Sequence, residues 1–545
     1  MDRLVRMSDG LRRLFTGGSR QLIHRILDQP NLVAAVQSLP PDVLGRVIGH
    51  IGLEDAGEIA ALATTPQLVA IFDDDLWHSP GPGEPESFDA DRFALWLEVM
   101  LEAGEAFAAQ KLAELPEDLV TLAFHKQVLV INIEALAIGM SSSKTAEYPA
   151  DDDVQLEKAL ESCLCEELGE YRIISRRHES WDTLFGLLVA LDRDHHDFLQ
   201  RLLERLCAMD AEFIDDNGGL FEVLTATESL EDDVAGDRDD RRAEQGFIAP
   251  SDAAAFLSLA RTSKLDVLVA SDERDPITRA YFRRLRRQPE RNATAAPVTA
   301  DKGSTPEASD LLALLREAEV LPQAPSTHLL EGKSAKTSEA AVDAFTAALR
   351  LIADRAPGIH ATRVQELAYL ANVLVAGCNL GRRSMRPVEA ARAALATSSL
   401  GLEHLLTQQP KPGSAARMVE CTAADKLFLI GWHILFYEVV LPAAGSAMAI
   451  LEKAANANEI NQGEIQRVAS ALRSAIAKGK PWTALPHLDV LEERVGHPTF
   501  ATLAALFGEC PTLAVRLASD DESESGFIAT NEQIRTARTF IIRLV

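Results

Sequence analysis

The chain has 545 residues, of which 47% are apolar and 25% charged, so it is long enough for two or three folded domains and too apolar to be disordered throughout. Its net charge of −28 repels phosphate groups, so we expect no nucleic-acid partner and no docking to anionic lipid.

Cysteine content and the N-terminal residues predict the compartment. Six scattered cysteines are too few for a disulfide framework in a protein of this length. The opening string, MDRLVRMSDGLRRLF, carries charges throughout and lacks the apolar core of a signal peptide. We therefore expect a cytoplasmic protein.

The N-terminal part reads as short helices joined by tight turns. Proline opens a helix in LPPDVL at 39–44 and again in LPEDLV at 115–120, with an acidic residue in each first turn. Between them, residues 88–104 place apolar side chains at helical spacing, with Asp89 as N-cap and Gly104 as helix stop. This pattern is similar to the helical superhelix at the N-terminus of magnesium-transporter gating domains.

Helical periodicity continues through the rest of the chain, and no series of alternating strands interrupts it. Apolar stripes at helical spacing recur in three later segments. They consist of Trp181, Leu184, Phe185 and Leu188, then Leu199, Leu202, Leu203 and Leu206, then Val364, Leu367, Ala368 and Ala371. The predicted fold class is all-α, with several helical domains.

One later stretch, residues 426–451, is apolar enough to require a comparison with membrane spans. His433, Glu438 and Pro442 interrupt its apolar run, whereas a spanning helix needs about 20 apolar residues without such breaks. The stretch therefore predicts a buried core helix.

Composition divides the chain into domains. Residues 288–310 are rich in alanine, proline, threonine and serine and have no apolar period, which is typical of a flexible linker. The predicted organisation is a short-helix domain at 1–140, a second helical domain at 150–288, a linker at 289–310 and a C-terminal helical domain at 311–545.

Standard catalytic and cofactor-binding motifs are missing from the sequence, including the P-loop, the dinucleotide fingerprint, HExxH, GxSxG and CxxC. GCNLGRRS at 377–384 has two glycines and a basic pair, but it lacks the Lys-Ser/Thr ending of a P-loop. A connection between two helices explains this string better. We predict no cofactor, and the sequence favours a protein that is not an enzyme.

A metal site is the main enzymatic alternative. Asp192 and His196 are four residues apart on one predicted helix, with His195 beside them. His178 and Asp182 have the same spacing on the preceding helix. Two helices that each offer a carboxylate and an imidazole could hold a metal ion, although the Glu-x-x-His spacing of di-metal bundles is missing.

Charged blocks of opposite sign are the main interaction candidates. Residues 210–245 are strongly acidic, and residues 279–291 are rich in arginine. The acidic block predicts either a solvated helix face or a groove for a basic peptide or a cation, and pairing between the two blocks is the simplest alternative. The candidate interaction residues are Glu228, Glu231, Asp232, Asp233, Arg283, Arg284, Arg286 and Arg287.

A resemblance to a known family rests on long strings from most of the chain. They include DAEFIDDNGGLFEVL, ELAYLANVLVAGCNLGRRS, LFLIGWHILFYEV and, nearer the N-terminus, DDDLWHSPGPGE. These strings resemble an uncharacterised bacterial family of about this length that is known only as a domain of unknown function. The resemblance implies a bacterial, cytoplasmic, helical protein, and it provides no catalytic residue.

Three functional hypotheses follow from these observations. The first is a non-enzymatic protein-interaction, scaffold or regulatory module, because short helices packed in series form extended recognition surfaces. The second is a metal-dependent enzyme with its site within 178–196. The third is a regulator that senses a cation through the acidic segment at 228–233.

Overall fold

A computed structural model of the chain describes most of residues 22–544. The described ranges are 22–29, 31–132, 164–210, 226–271, 273–286, 344–381, 383–408, 415–455, 462–514 and 525–544, with six further residues between 311 and 320. Helices dominate these ranges and the strands are short, which confirms the all-α prediction.

The chain divides into two compact units. Unit 1 comprises Met1–His78, Ser87–Asp240 and Asn292–Ser326, and unit 2 comprises Ser79–Glu86, Arg241–Arg291 and Thr327–Val545. The domain boundary predicted at 140–150 and the linker predicted at 289–310 lie outside the described residues and stay predictions.

Unit 1 consists mainly of short helices. They are α1 Leu32–Gln37, α2 Pro41–Ile51, α3 Gly57–Ala60, α4 Thr65–Asp75, α5 Ala90–Glu102, α6 Glu105–Glu114, α7 Glu117–Gln127, α8 Trp181–Asp194, α9 His196–Asp210 and α10 Ala226–Glu244, with a 3₁₀ turn at Glu54–Ala56. The last four residues of α10 belong to unit 2.

Two small antiparallel sheets accompany these helices. Strands β1 Trp77–His78 and β2 Ser87–Phe88 pair with each other. Strands β3 Val128–Asn132, β4 Cys165–Leu168 and β5 Tyr171–Ser175 form a sheet in the order β3-β5-β4. The sequence analysis missed these strands because each is at most five residues long, which is too short for a clear alternating pattern.

Helix α5 shows how the predicted caps and stripe fold. The Asp89 side chain accepts a hydrogen bond from the Arg92 backbone N–H at 2.9 Å, and Gly104, with φ of 121°, lies two residues after the last helical residue. On the buried face, Trp96 packs edge-on against Phe72 with ring centroids 5.1 Å apart. The predicted start, end and apolar face are therefore confirmed.

Unit 2 contains longer helices. They are α11 Pro250–Thr262, α12 Leu265–Ala270, α13 Pro276–Arg286, α14 Ala344–Arg355, α15 Pro357–Gly377, α16 Pro387–Gln408, α17 Ala415–Cys421, α18 Ala424–Leu435, α19 Leu441–Ala455, α20 Gln462–Ala477, α21 Asp489–Val495, α22 His497–Leu506 and α23 Asn531–Leu544. Two hairpins join β6 Asn379–Leu380 to β7 Arg383–Ser384 and β8 Thr512–Ala514 to β9 Ser525–Phe527.

Helix α15 differs from its predicted orientation. The predicted stripe included Ala368, which is exposed, whereas Arg363 and Glu366 are buried. The predicted stripe did not include Arg363 or Glu366, but an ion-pair network holds these two side chains inside unit 2. The apolar spacing predicted the helix correctly and its buried face incorrectly.

The apolar stretch forms one helical run, Ala424–Ala455, and among the described residues it alone is long and apolar enough to cross a membrane. Its most apolar window is 56% buried within the protein, which agrees with the predicted core helix. A π-helical turn, Phe436–Val440, joins α18 to α19 and ends two residues before Pro442. Because proline lacks an N–H group and clashes with the preceding turn, the wider turn lets the helix continue.

Helices α16 and α18 cross at two glycines. A methyl group added at Gly431 would overlap the Thr397 carbonyl oxygen, and one added at Gly401 would overlap the Leu427 carbonyl oxygen. Glycine at both positions lets the two backbones touch directly. This close crossing places α18 at the centre of the unit 2 core.

We predict that Gly431→Ala lowers the free energy of unfolding by about 3 kcal/mol, because the added methyl group pushes the two helices apart. Denaturant unfolding followed by circular dichroism measures the change. Gly445→Ala is the matched control, since its added methyl group meets nothing within 4 Å in the same helical run. Equal stability of the two variants would contradict the tight crossing.

Candidate functional site

The predicted metal residues lie on the surface of unit 1, where His178, Asp182, Asp192 and His196 are exposed. Asp192 and His196 come together, with a carboxylate oxygen 2.9 Å from Nδ1 of the imidazole. His195 is partly buried at the junction of α8 and α9. Among the described residues, no group of three or more His, Cys, Asp or Glu side chains is arranged to hold a metal ion. The metal hypothesis stays a prediction.

The predicted acidic residues lie on α10. Leu230 and Val234 bury one face of this helix, while Glu228, Asp232 and Asp233 are exposed on the other. Glu231 forms an ion pair with Lys126 at 2.6 Å, so part of the acidic charge is neutralised within unit 1. The described part of the acidic segment is therefore a helix face rather than an enclosed groove.

The predicted arginines lie on α13 and just beyond it. Arg283 and Arg284 are exposed on this helix, whose opposite side is anchored by Tyr281. The Tyr281 hydroxyl donates a hydrogen bond to the Gly246 carbonyl oxygen at 3.0 Å. The side chain of Arg286 and the whole of Arg287 lie outside the described residues.

A buried ion network in unit 2 was not predicted. Glu366, which is fully buried, pairs with Arg274 and Arg363 and accepts the Ala424 backbone N–H at 2.8 Å. Arg363 also donates to the Val419 carbonyl oxygen at 2.8 Å. The Glu366 carboxylate thus caps the first turn of α18, which has no side-chain cap of its own. Its charged partners are satisfied, so this network serves the fold.

A pocket of about 460 Å³ is the strongest candidate site, and all of its lining residues belong to unit 2. We call it the Arg261 pocket. Its walls come from the segment 82–84, helix α11, the hairpin of β6 and β7, the 3₁₀ turn at Pro481–His487, and Glu509. The charged lining residues are Glu84, Arg261, Lys480 and Glu509.

Arg261 lies in the last turn of α11 and is firmly positioned. Its carbonyl oxygen accepts a hydrogen bond from the Tyr437 hydroxyl at 2.9 Å, and its guanidinium lies over the Trp482 ring, 5.1 Å from the centroid. The neighbouring Ala260 carbonyl oxygen is held by His433 Nδ1 at 2.8 Å. Nη1 of Arg261 is buried and finds no hydrogen-bond acceptor among the described residues.

Lys480 and Trp482 reach the pocket through the end of α20. The Lys480 backbone N–H donates to the Ala475 carbonyl oxygen at 3.0 Å, which closes the helix and turns the chain into the 3₁₀ turn. Trp482 then packs edge-on against Phe436 of the π-helical turn, with ring centroids 6.5 Å apart. The helical core thus fixes the aromatic wall.

The opposite wall depends on Gly377, the last residue of α15. A methyl group at this position would lie 2.8 Å from Cβ of Ala253, so only glycine allows α15 to end against α11. The Gly83 backbone N–H donates to the Ala376 carbonyl oxygen at 2.8 Å and holds the segment 82–84 at this end of α15. The string GCNLGRRS therefore combines a helix end with a short hairpin, and it was the only sequence signal for this wall.

Glu509 is the carboxylate whose negative charge acts on the Arg261 guanidinium. Burial raises the pKa of Glu509, while the hydrogen bond from the Asn379 backbone N–H, 2.9 Å long, lowers it to a smaller extent. Burial also lowers the pKa of the Arg261 guanidinium, and the charge of Glu509 opposes that change. Burial thus disfavours the charged form of both groups, and a bound ligand would change this balance.

A second pocket, of about 590 Å³, lies on residues of the same hairpin in unit 2. Its Arg383 is already paired with Glu389, with nitrogen–oxygen distances of 2.6 and 2.7 Å. This pairing lowers the pKa of Glu389 to about 2. Its other charged lining residue, Arg392, is exposed, so this pocket has no desolvated cation comparable with Arg261.

Comparisons with known proteins identify a family and no function. The sequence profile of a family of unknown function, DUF6178, matches residues 2–275. No curated protein and no solved structure is significantly similar to the chain.

We predict that Glu366→Ala lowers the free energy of unfolding by about 3–5 kcal/mol, because it leaves the buried Arg363 and the partly buried Arg274 without their shared carboxylate. Denaturant unfolding at neutral pH measures this loss. Arg355→Ala is the control, since Arg355 forms an ion pair but its side chain is 63% exposed, and such exposed pairs contribute about 1 kcal/mol or less. A small effect of Glu366→Ala would show that the network does not hold α18.

We also predict a pH-dependent difference between the wild type and Glu509→Gln. Because the folded-state pKa of Glu509 is above its ordinary value of 4.5, the protonated form favours folding below that value, and this contribution is lost as pH rises through the raised pKa. The variant cannot ionise, so its stability relative to wild type should increase with pH. Unfolding midpoints measured across the acid-to-neutral range test this, and parallel pH profiles would contradict it.

Proposed function

This chain belongs to DUF6178, a family of unknown function, and we propose that it is a non-enzymatic regulatory module that binds a small molecule in the Arg261 pocket. One observation carries the proposal. Arg261, whose guanidinium is largely desolvated and lies over the Trp482 ring, lines a ligand-sized pocket together with Lys480. Desolvating a cation is costly, so a ligand that brings a counter-charge or an acceptor to Arg261 would be stabilised there.

The lining residues favour binding over catalysis. The hydroxyl among them belongs to Thr483, and it donates to the Lys480 carbonyl oxygen at 2.8 Å instead of meeting a base. Covalent catalysis needs a nucleophile within hydrogen-bond reach of a base, and the described lining residues offer no such pair. They do offer two cations, two carboxylates, an aromatic face and apolar side chains, which together can recognise a small molecule.

Regulation is supported by the way the pocket is assembled. Its walls come from segments far apart in the sequence, from Pro82 to Glu509. A ligand that contacts all of them binds the folded form of unit 2 and not the unfolded chain, so it stabilises that form. Ligand occupancy would therefore change the stability of the helices that end at the pocket.

The interaction hypothesis is compatible with this proposal and stays a prediction. Asp232 and Asp233 are exposed on α10, and Arg283 and Arg284 are exposed on α13. A basic partner protein suits the first pair by charge. Crosslinked co-purification from cells, with charge reversal at Asp232 and Asp233 as the comparison, tests that hypothesis separately.

We predict that a panel of small molecules of mixed charge contains compounds that raise the melting temperature of the full-length protein by about 5 °C near saturation. The effect should disappear in Arg261→Met, which keeps side-chain length but has no donor. Arg473→Met is the matched control, because Arg473 is exposed, pairs with Glu452 and is not among the lining residues. Differential scanning fluorimetry followed by calorimetry measures the binding.

The proposal fails if no compound in a broad panel stabilises the wild type. It also fails if the stabilising compounds act equally on Arg261→Met, since their site would then lie elsewhere.

A further inference from the structure

We infer that the ligand of the Arg261 pocket carries an oxyanion, a carboxylate or a phosphate group, that pairs with the cationic side chains of Arg261 and Lys480. This inference rests on the proposed function and specifies the chemical class of its ligand. It excludes cationic and purely neutral molecules as the physiological class.

The first argument is the state of the guanidinium. Trp482 covers one face of Arg261, and the backbone of the same residue is held by Tyr437, so the group is fixed before a ligand arrives. A planar guanidinium is matched in geometry by the paired oxygens of carboxylate and phosphate. Burial disfavours the charge of this guanidinium, so a ligand oxygen with negative charge would stabilise it.

The second argument is the charge of the walls. Lys480 adds a second cation to the lining, and its exposed side chain can reach a ligand at the pocket opening. Opposing these cations are Glu509, whose pKa burial raises, and Glu84, which is exposed to solvent. The charge of Glu509 also raises the pKa of the buried Cys378 thiol, so the two groups lie near each other. Burial therefore disfavours the negative charge of Glu509, which would otherwise oppose a bound anion.

The third argument is the shape of the remaining surface. Leu257, Leu485 and the Trp482 ring form an apolar wall, and the volume of about 460 Å³ suits a small organic molecule. A second cavity shares Arg261, Trp482 and Glu509 but measures only about 10 Å³, which is no larger than a water site. The pocket therefore fits a compact ligand with an apolar body and one anionic end.

Four probes with the same ring test the inference on the full-length protein by calorimetry: benzoate, phenyl phosphate, benzylamine and benzyl alcohol. We expect benzoate or phenyl phosphate to bind and benzylamine not to bind, and the comparison of the two anions identifies which oxyanion is preferred. Arg261→Met should weaken anion binding by about tenfold or more, since a charge-assisted hydrogen bond is lost. Arg261→Lys should retain part of the affinity, and Arg473→Met should retain all of it.

The pH dependence gives a second readout that a merely folding-related role of Arg261 would not produce. Anion binding should strengthen as pH falls and Glu509 becomes protonated, and Glu509→Gln should bind anions with a flatter pH profile. Unfolding midpoints of each variant establish that it is folded. If Arg261→Met does not fold, Arg261→Lys replaces it in this test.

Two results would overturn the inference. Anion binding that is unchanged in both Arg261 variants would place the anion elsewhere on the surface. Binding of benzylamine or benzyl alcohol that depends on Arg261, without binding of either anion, would show that the pocket takes another chemical class. The second result contradicts the oxyanion and leaves the proposed binding function standing, whereas an Arg261-independent panel contradicts both.

Discussion

The close crossing of α16 and α18 is the constraint on which unit 2 depends. Gly401 and Gly431 let the two backbones touch, so α18 lies in the core with little freedom to shift. From that helix His433 reaches the Ala260 carbonyl oxygen, and from the following π turn Tyr437 reaches that of Arg261. The close contact at the two glycines therefore fixes, through these hydrogen bonds, the position of the last turn of α11. The packing of the unit 2 core therefore positions the α11 wall of the Arg261 pocket.

Unit 2 buries charge in two places and treats it differently. At Glu366 each carboxylate oxygen has a cationic partner, and the helix start that it caps is also satisfied. At Arg261 the guanidinium is desolvated as well, yet one of its nitrogens meets no acceptor within the described chain. Breaking even one partner of a buried ion pair is strongly destabilising, so an incomplete site needs a compensating role. This contrast is why we assign Glu366 to the fold and propose a binding role for Arg261.

The sequence predicted local features well and assembled ones poorly. The caps and stripe of α5, and the core helix around Trp432, follow from spacing within one turn or two. The predicted buried face of α15 was wrong because Glu366 is neutralised by Arg274. Arg274 lies between α12 and α13, so the spacing of apolar residues within α15 carries no information about it. Arg261 escaped notice for the same reason: its surroundings come from Tyr437 and Trp482, far along the chain. Only the glycines of 377–381 marked that region in advance.

The acidity of the chain also bears on what the pocket can select. A net charge of −28 repels anions at long range, but at physiological salt this field decays over about 8 Å. Inside the pocket, short-range contacts with Arg261 and Lys480 therefore decide whether an anion stays. An anion that binds such a protein does so against its overall field. The affinity of the pocket for an anion therefore reports on the arrangement of a few side chains, because the net charge of the protein repels anions.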